Sequence, residues 1–350
     1  ISTGNGYFKV GGSIGIALHP SNAVTGEGLH KKADLALYRA KAEGRGIYRF
    51  FDSAMDQQLV ERHQMEAELH QALEAGQLHL VYQPVVCLQT GGVTGFEALL
   101  RWRHPRYGDV PSSQFIPLAE DSGLIIAIGE WVLRETFREA ARWKQHLKVA
   151  INLSPVQFLT GDIAQTVEEA LRHTGLDPHR IDFEVTEGLL IQDPERALEI
   201  LRKLQGLGAK IAMDDFGTGY SSLSYFRSFP FHQIKIDRAF VRDLADSREA
   251  RAVVKAAIGR SRGLGMATVA EGVETLEQME LLLAEGCERI QGYLIGKPQP
   301  IEAYEHLVLQ RTNDSHVCQA RCDECLERLR PPSGIRTPQP PDFRLSAFGS

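Results

Sequence analysis

The sequence predicts an α/β protein: a TIM-type (β/α)8 barrel with one antiparallel strand, preceded by a small partial α+β segment. Three observations predict it. Short β-like runs alternate with helix-period segments from about residue 78 to residue 309. That span is roughly the 250 residues a barrel of this type needs. Acidic or amide residues recur late in successive runs, where such barrels gather their chemistry. An open doubly wound sheet is the alternative arrangement of the same elements.

Taken in order, residues 1–52 read strand, helix, strand. "YFKVGGSIGIALHP" is β-rich and ends at Pro20. In "GLHKKADLALYRAKAEG", Leu29, Ala33, Leu35, Ala36, Leu37 and Ala40 make one apolar helical face, closed by Gly44. "GIYRFFD" is a last short strand. So few elements make a poor independent domain. Residues 53–64 form a connector helix. Its period continues through Met65, Leu69 and Leu73, which we assign to the barrel of residues 65–309.

The barrel strands read "LHLVYQPVV", "VTGFEALLRW", "KVAINLS", "IDFEVTE", "AKIAMDD", "QIKIDR", "ATVAEGV" and "RIQGYLI". Helices are expected at Trp131–Gln145, Asp162–Thr174, Pro194–Leu207, Arg248–Leu264 and Leu276–Glu285. Only "CLQTGG" joins the first two runs, which predicts a hairpin and hence one antiparallel strand. Residues 310–350 lose all periodicity and are rich in Pro, Ser and Arg, so we expect a disordered tail.

Composition narrows the function. Of 350 residues, 43% are hydrophobic, enough for a sizeable core, and the formal net charge is -6. That sign argues against a general DNA or RNA binder. No run of apolar residues is long enough to span a membrane, and no signal peptide is visible. Five cysteines without a paired framework fit a reducing cytoplasm. Because the chain starts with Ile, an upstream sensor or inner-membrane anchor in a longer parent is left open. His316, Cys318, Cys322 and Cys325 in the tail lack a standard zinc spacing, and loosely ordered thiols are the preferred reading. His104, in "RWRHPRYG", reads as a surface-loop histidine, and Tyr220 and Tyr225 as loop-packing residues.

The strand ends carry the chemistry. Glu97, Asn152, Glu184, Asp214 with Asp215, Lys235, Glu271 and Gln291 all fall late in their runs. In "IDFEVT" and "QIKID" the polar residues alternate with apolar ones, so Asp182, Glu184, Lys235 and Asp237 share the inward face. Five acids against one lysine leave about -4, and two divalent cations would balance that charge. Carboxylates with an amide oxygen suit Mg²⁺ or Mn²⁺. Any one of these residues alone reads as a cap or a surface charge; the shared register is the signal. A two-carboxylate glycosidase would not need Asn152, Lys235 and five acids.

At this point the residues resemble the EAL domain, a cyclic-di-GMP phosphodiesterase family. "FEALLRW", "NLS", "FEVTE", "DDFGTGYSSL", "KID", "AEGVE" and "QGYLIGKP" stand in the family's order. "SIGIALHP" and "ADLALYRAKAEGRGIYRF" resemble the C-terminal end of a GGDEF (diguanylate cyclase) domain whose signature is absent here, so no cyclase activity is expected. The resemblance implies hydrolysis of cyclic-di-GMP to linear 5′-pGpG with two metal ions per site. Glu97, Asn152, Glu184 and Asp214 would hold one ion; Asp214, Asp215 and Glu271 would hold the other. Lys235 would position or deprotonate the attacking water, Gln291 would line the site, and Glu187 would steady the loop after Asp215. Arg101 would meet a substrate phosphate and Gln83 a guanine edge. A homodimer through the barrel is also implied. A non-catalytic cyclic-di-GMP receptor and a regulatory scaffold are the competing readings, and the intact ligand set argues against the receptor.

Overall fold

A computed structural model describes residues 2–3, 6–7, 11–42, 44, 46–143, 147–216, 229 and 231–308. The chain divides into two compact units. The smaller takes residues 1–76 and Ser113–Ser122. In it, strand Ile14–Ile16 pairs in parallel with Tyr48–Phe50. Helix Gly26–Ala42 turns its buried Ala36 and Ala40 inward. The helix at Ser53–Glu74 is continuous across residue 64, with Leu69 and Ala72 buried.

The larger unit is the barrel. Its strands are β1 (Leu78–Cys87), β2 (Val93–His104), β3 (Lys148–Asn152), β4 (Ile181–Thr186), β5 (Lys210–Phe216), β6 (Gln233–Ile236), β7 (Ala267–Ala270) and β8 (Arg289–Ile290). Each strand from β2 to β8 pairs in parallel with the next, and β1 pairs antiparallel with both β2 and β8, closing the cylinder. The antiparallel strand that the short "CLQTGG" connection predicts is therefore β1. Closure leaves no free strand edge, which separates the barrel from the doubly wound alternative.

Among the described residues, the longer helices that return the chain between barrel strands include α1 (Ile125–Ala141), α2 (Ile163–Thr174), α3 (Pro194–Gly206), α4 (Arg248–Gly263) and α5 (Leu276–Glu285). Their starts are written in the sequence. Asp162, Asp193, Ser247 and Thr275 each accept a backbone N–H from the first turn of α2, α3, α4 and α5. Gly175 and Gly286 end α2 and α5 in the left-handed conformation. Helix α1 starts at Ile125 rather than Trp131. Buried Ile125 and Ile128 extend its apolar stripe toward the N-terminus, beyond where the sequence pattern alone placed the first turn.

Alternation sorts the strand side chains as expected. Phe183, Val185, Ile234 and Ile236 face outward into the core between sheet and helices. Each such side chain contributes roughly 1.5–3 kcal/mol of burial. Phe96 sits at the heart of this layer, 5.5 Å from Trp143 and 5.2 Å from Tyr304 between ring centroids. Gly95 lets β2 approach β3, since a Cβ there would lie 2.4 Å from the Lys148 carbonyl oxygen.

One expectation fails in the fold. His104 is not on a surface loop; it ends β2 and is only 5% exposed. β2 runs on past the barrel as a hairpin with Gly108–Val110. In its turn the Nδ1 of His104 accepts the N–H groups of Arg106 and Tyr107 at 3.0 and 3.2 Å. A turn-capping role holds the ring inside, against Trp102.

Candidate active site

Lys235 is the hub. It is 1% exposed, on β6, among the largest fully buried side chains of the molecule. Its Nζ lies 2.5 Å from Glu271 Oε1 and 2.6 Å from Glu184 Oε2. Glu97 Oε2 and Asp214 Oδ1 each lie 3.5 Å away. Four strands and the turn after a fifth are thereby drawn to one point. Asp214 and Asp215 come from the end of β5, and Glu271 follows β7 directly.

Amides tie the acids together. Asn152 donates its Nδ2–H to Glu97 Oε1 at 2.6 Å, from the end of β3. Gln291, just past β8, donates to Glu97 Oε2 at 2.6 Å and to Gln83 Oε1 at 3.0 Å. Gln83 lies directly opposite Glu97 in the β1–β2 ladder and donates onward to the Gly296 carbonyl at 3.0 Å. Gly292 makes this corner possible: a Cβ there would lie 2.1 Å from the Val273 carbonyl oxygen.

The charges are mutually perturbed. Burial opposes a charged Lys235, but Asp214, Glu184, Glu271 and Glu97 outweigh it and hold the ammonium well above its ordinary pKa. Burial pushes Glu184 well above the usual carboxylate range, and Glu97, Asp214 and Glu271 add to that against the pull of Lys235. Glu271 is pushed up to about 8, by burial first, with Asp214 and Glu97 adding to it. Glu97 moves the other way. Burial would raise it, but Lys235 and the hydrogen bonds from Gln291 and Asn152 prevail. Asp215 rises to about 6, through burial and then through Asp214 and Asp237.

Asp214 and Asp215 diverge because the backbone turns between them. Asp215 has φ 54°, and its N–H donates to Asp214 Oδ1 at 2.9 Å. The left-handed conformation is one that Asp tolerates better than most residues. One oxygen from each of Asp214, Asp215 and Glu271 lies within 4.8 Å of the others. Hard oxygen donors carrying repelling charges at that spacing fit a divalent cation.

The structure thus draws Glu97, Asn152, Glu184, Asp214, Asp215, Lys235, Glu271, Gln291 and Gln83 into one constellation. Arg101 lies two residues beyond Leu99 and four beyond Glu97, on the same face of β2. Burial lowers its pKa, and the nearby Glu97 and Tyr293 partly restore it. Glu187 is buried at the start of the short helix Glu187–Gln192. The loop it was expected to steady, with Gly217, Gly219, Tyr220 and Tyr225, lies outside the described residues, as does the tail with its cysteines.

Sequence reasoning missed Asp237 as a member of the site. It caps the helix Arg238–Arg242 through the Ala239 N–H at 2.8 Å, and its charge also bears on Asp215. Its position on the inward face of "KID" was the available signal.

A family model of the EAL domain matches residues 66–298. Among curated relatives, the bifunctional diguanylate cyclase/cyclic di-GMP phosphodiesterase MucR of Pseudomonas aeruginosa is 44% identical over 298 residues. That match takes in 84% of this chain and 44% of MucR. The cyclic di-GMP phosphodiesterase PdeR of Escherichia coli is 38% identical over 296 residues, 84% of this chain and 45% of PdeR. The chain therefore spans less than half the length of these relatives. A solved structure of the MucR phosphodiesterase in complex with c-di-GMP superposes with a TM-score of 0.66 at 44% identity. It covers 68% of this chain and 98% of the solved one.

Proposed function

This chain belongs to the EAL-domain family, and from that premise we propose that its barrel hydrolyses cyclic-di-GMP to linear 5′-pGpG with the help of divalent cations. The observation that carries the reading is the single rim cluster: four carboxylates surround one buried lysine, and Asp214, Asp215 and Glu271 stand at ion-binding separation. The names of MucR and PdeR and the c-di-GMP held by the MucR structure support the substrate.

Glu97, Asn152, Glu184 and Asp214 would hold one cation, and Asp214, Asp215 and, through water, Glu271 a second. The all-oxygen donor set favours Mg²⁺ or Mn²⁺. Such a pair, when bound, lowers the pKa of water and stabilises charge on the reacting phosphate. The chain's own groups do the rest. Lys235, set among the carboxylates, would position or help deprotonate the attacking water and offset negative charge on the reacting phosphate. Gln291 locks Glu97 and Gln83 in place. Arg101 would meet a substrate phosphate, and Gln83 a guanine edge. Glu187 would steady the segment after Asp215.

Residues 1–52 are proposed as the C-terminal part of a GGDEF domain, joined by a connector helix over 53–64 to a barrel of residues 65–309. Among the described residues no helix is long and apolar enough to cross a membrane. A cytoplasmic site and a homodimer through the barrel complete the proposal. The test is chromatography of products from cyclic-di-GMP and Mg²⁺, with and without EDTA. Linear pGpG that disappears with EDTA supports the reading. Ligand recovered intact from the Mg²⁺ reaction refutes hydrolysis.

A further inference from the structure

Beneath the acidic rim lies a second polar cluster, with Asp182 buried and Lys148 and His232 partly exposed, to which the proposed chemistry gives no task. Asp182 is 4% exposed, on β4, two residues before Glu184 and on the same face. Lys148, the first residue of β3, donates to both Asp182 oxygens at 3.2 and 3.3 Å. His232 stands immediately before β6. Its Nδ1 accepts the Ile211 N–H of β5 at 2.8 Å. That bond places the ring proton of the neutral imidazole on Nε2, which lies 3.4 Å from Asp182 Oδ1.

At the N-terminal ends of these strands Lys148 thus bonds β3 to β4, and His232 bonds β6 to β5, while the two halves meet at the 3.4 Å approach of His232 Nε2 to Asp182 Oδ1, which is an electrostatic contact without a formed hydrogen bond. The same four strands carry Asn152, Glu184, Asp214 with Asp215, and Lys235 at their other ends. Between the two layers is a cavity of about 20 Å³, walled by Asp182, Glu184, Gln233, Lys235, Arg289 and Gln291. The backbone already ties β5 to β6 at this end, the His232 N–H donating to the Ile211 carbonyl at 3.1 Å, and the His232 ring adds a second bond to the same residue. The β5–β6 register is regular at Ala212 and Met213 and shifts before Phe216, across Asp214 and Asp215. The His232–Ile211 bond spans this pair just below the irregularity.

We infer that the Lys148–Asp182–His232 cluster is a positioning device that fixes the axial placement of β3 to β6, so that the rim oxygens stand at metal-binding separation. Stability alone does not require it, because apolar residues of similar volume often replace buried ion pairs at little or no cost. Directional bonds supply a fixed geometry that apolar packing does not, and a metal site demands placement to within about 0.5 Å. The inference rests on the metal-dependent reading above.

The test uses the full chain and Mn²⁺ alone, followed by the EPR signal of free Mn²⁺, with Mg²⁺-dependent turnover as a second readout. His232→Leu removes the clamp. Its Mn²⁺ affinity and its turnover at saturating Mg²⁺ are each expected to fall at least about tenfold, as for losses of groups that orient metal ligands. KM for cyclic-di-GMP should stay within about threefold of wild type, because no clamp residue reaches the rim. His232→Asn, whose amide oxygen can accept the Ile211 N–H, should recover most of both losses. Unchanged Mn²⁺ affinity in a cooperatively melting His232→Leu variant overturns the inference. So does a His232→Asn variant no better than the leucine. If His232→Leu does not fold, Asp182→Asn takes its place in the same measurements: a tenfold fall in Mn²⁺ affinity supports the inference, and an unchanged affinity overturns it. Wild-type protein that takes up no Mn²⁺ would instead overturn the metal reading itself.

Discussion

Replacing Lys235 by Met keeps the stem and deletes the charge. In the metal-free protein the ammonium faces two carboxylate oxygens at 2.5 and 2.6 Å and two more at 3.5 Å. At an effective dielectric constant near 20, each of the two close pairs is worth about 6 kcal/mol before desolvation. Two responses shrink the loss. The ammonium no longer has to be buried, and Glu184 and Glu271, already raised, can take up protons. Measured losses of one partner from buried pairs run at about 3–5 kcal/mol, and we expect the low end of that range. For a barrel of this size that lowers Tm by about 10 °C in EDTA. Saturating Mg²⁺ should narrow the gap, because the cations replace the missing positive charge. Turnover should stay about 10²–10³-fold below wild type, the loss typical of a positioned electrostatic group. Differential scanning fluorimetry and product chromatography read the two effects. A variant that melts within about 2 °C of wild type in EDTA, or turns over within about tenfold of it, refutes the hub assignment.

Other outcomes follow from the same geometry. Glu271 and Asp215 have folded-state values near 8 and 6, above their unfolded values, so the folded chain holds protons that the unfolded chain releases as pH rises above about 4. Tm in EDTA should therefore fall between about pH 5 and 8, and Mg²⁺ should flatten that slope; a rising Tm would contradict the burial of these acids. Gln291→Leu removes both donations that fix Glu97 and Gln83, and kcat/KM should fall about 10-fold or more, read by initial rates. Phe96→Ala opens a void against Trp143 and Tyr304 and should cost about 3–5 kcal/mol by urea unfolding, with the Mg²⁺ dependence of the remaining turnover unchanged.

Much of the site was legible because strand chemistry repeats every two residues. In "IDFEVT" that period alone says that Asp182 and Glu184 point where Phe183 and Val185 do not. It does not say that Asp182 belongs to a lower layer with Lys148 and His232 while Glu184 belongs to the rim with Lys235. His104 shows the same limit. "RWRHPRYG" has the composition of an exposed loop, and the ring is buried because β2 continues and folds back on itself. Asp237 was on the correct face yet went unassigned, since its neighbour Asp215 comes from a different strand and reaches it through a left-handed turn.

Local pattern was enough to dictate strands, caps, the antiparallel first strand and the acids that gather at one rim. Those features depend on neighbours within a few residues, and short-range sterics and solvation act at that distance. The pairing of Lys235 with Glu184, the bridge from Gln291 to Glu97 and Gln83, and the bond from Ile211 to His232 join positions between 21 and 208 apart. Such pairings exist only once the cylinder closes and each strand takes its height along the axis. That height is set by the sum of ladder bonds, helix packing and buried polar contacts around the whole barrel, and no single stretch of chain contains it.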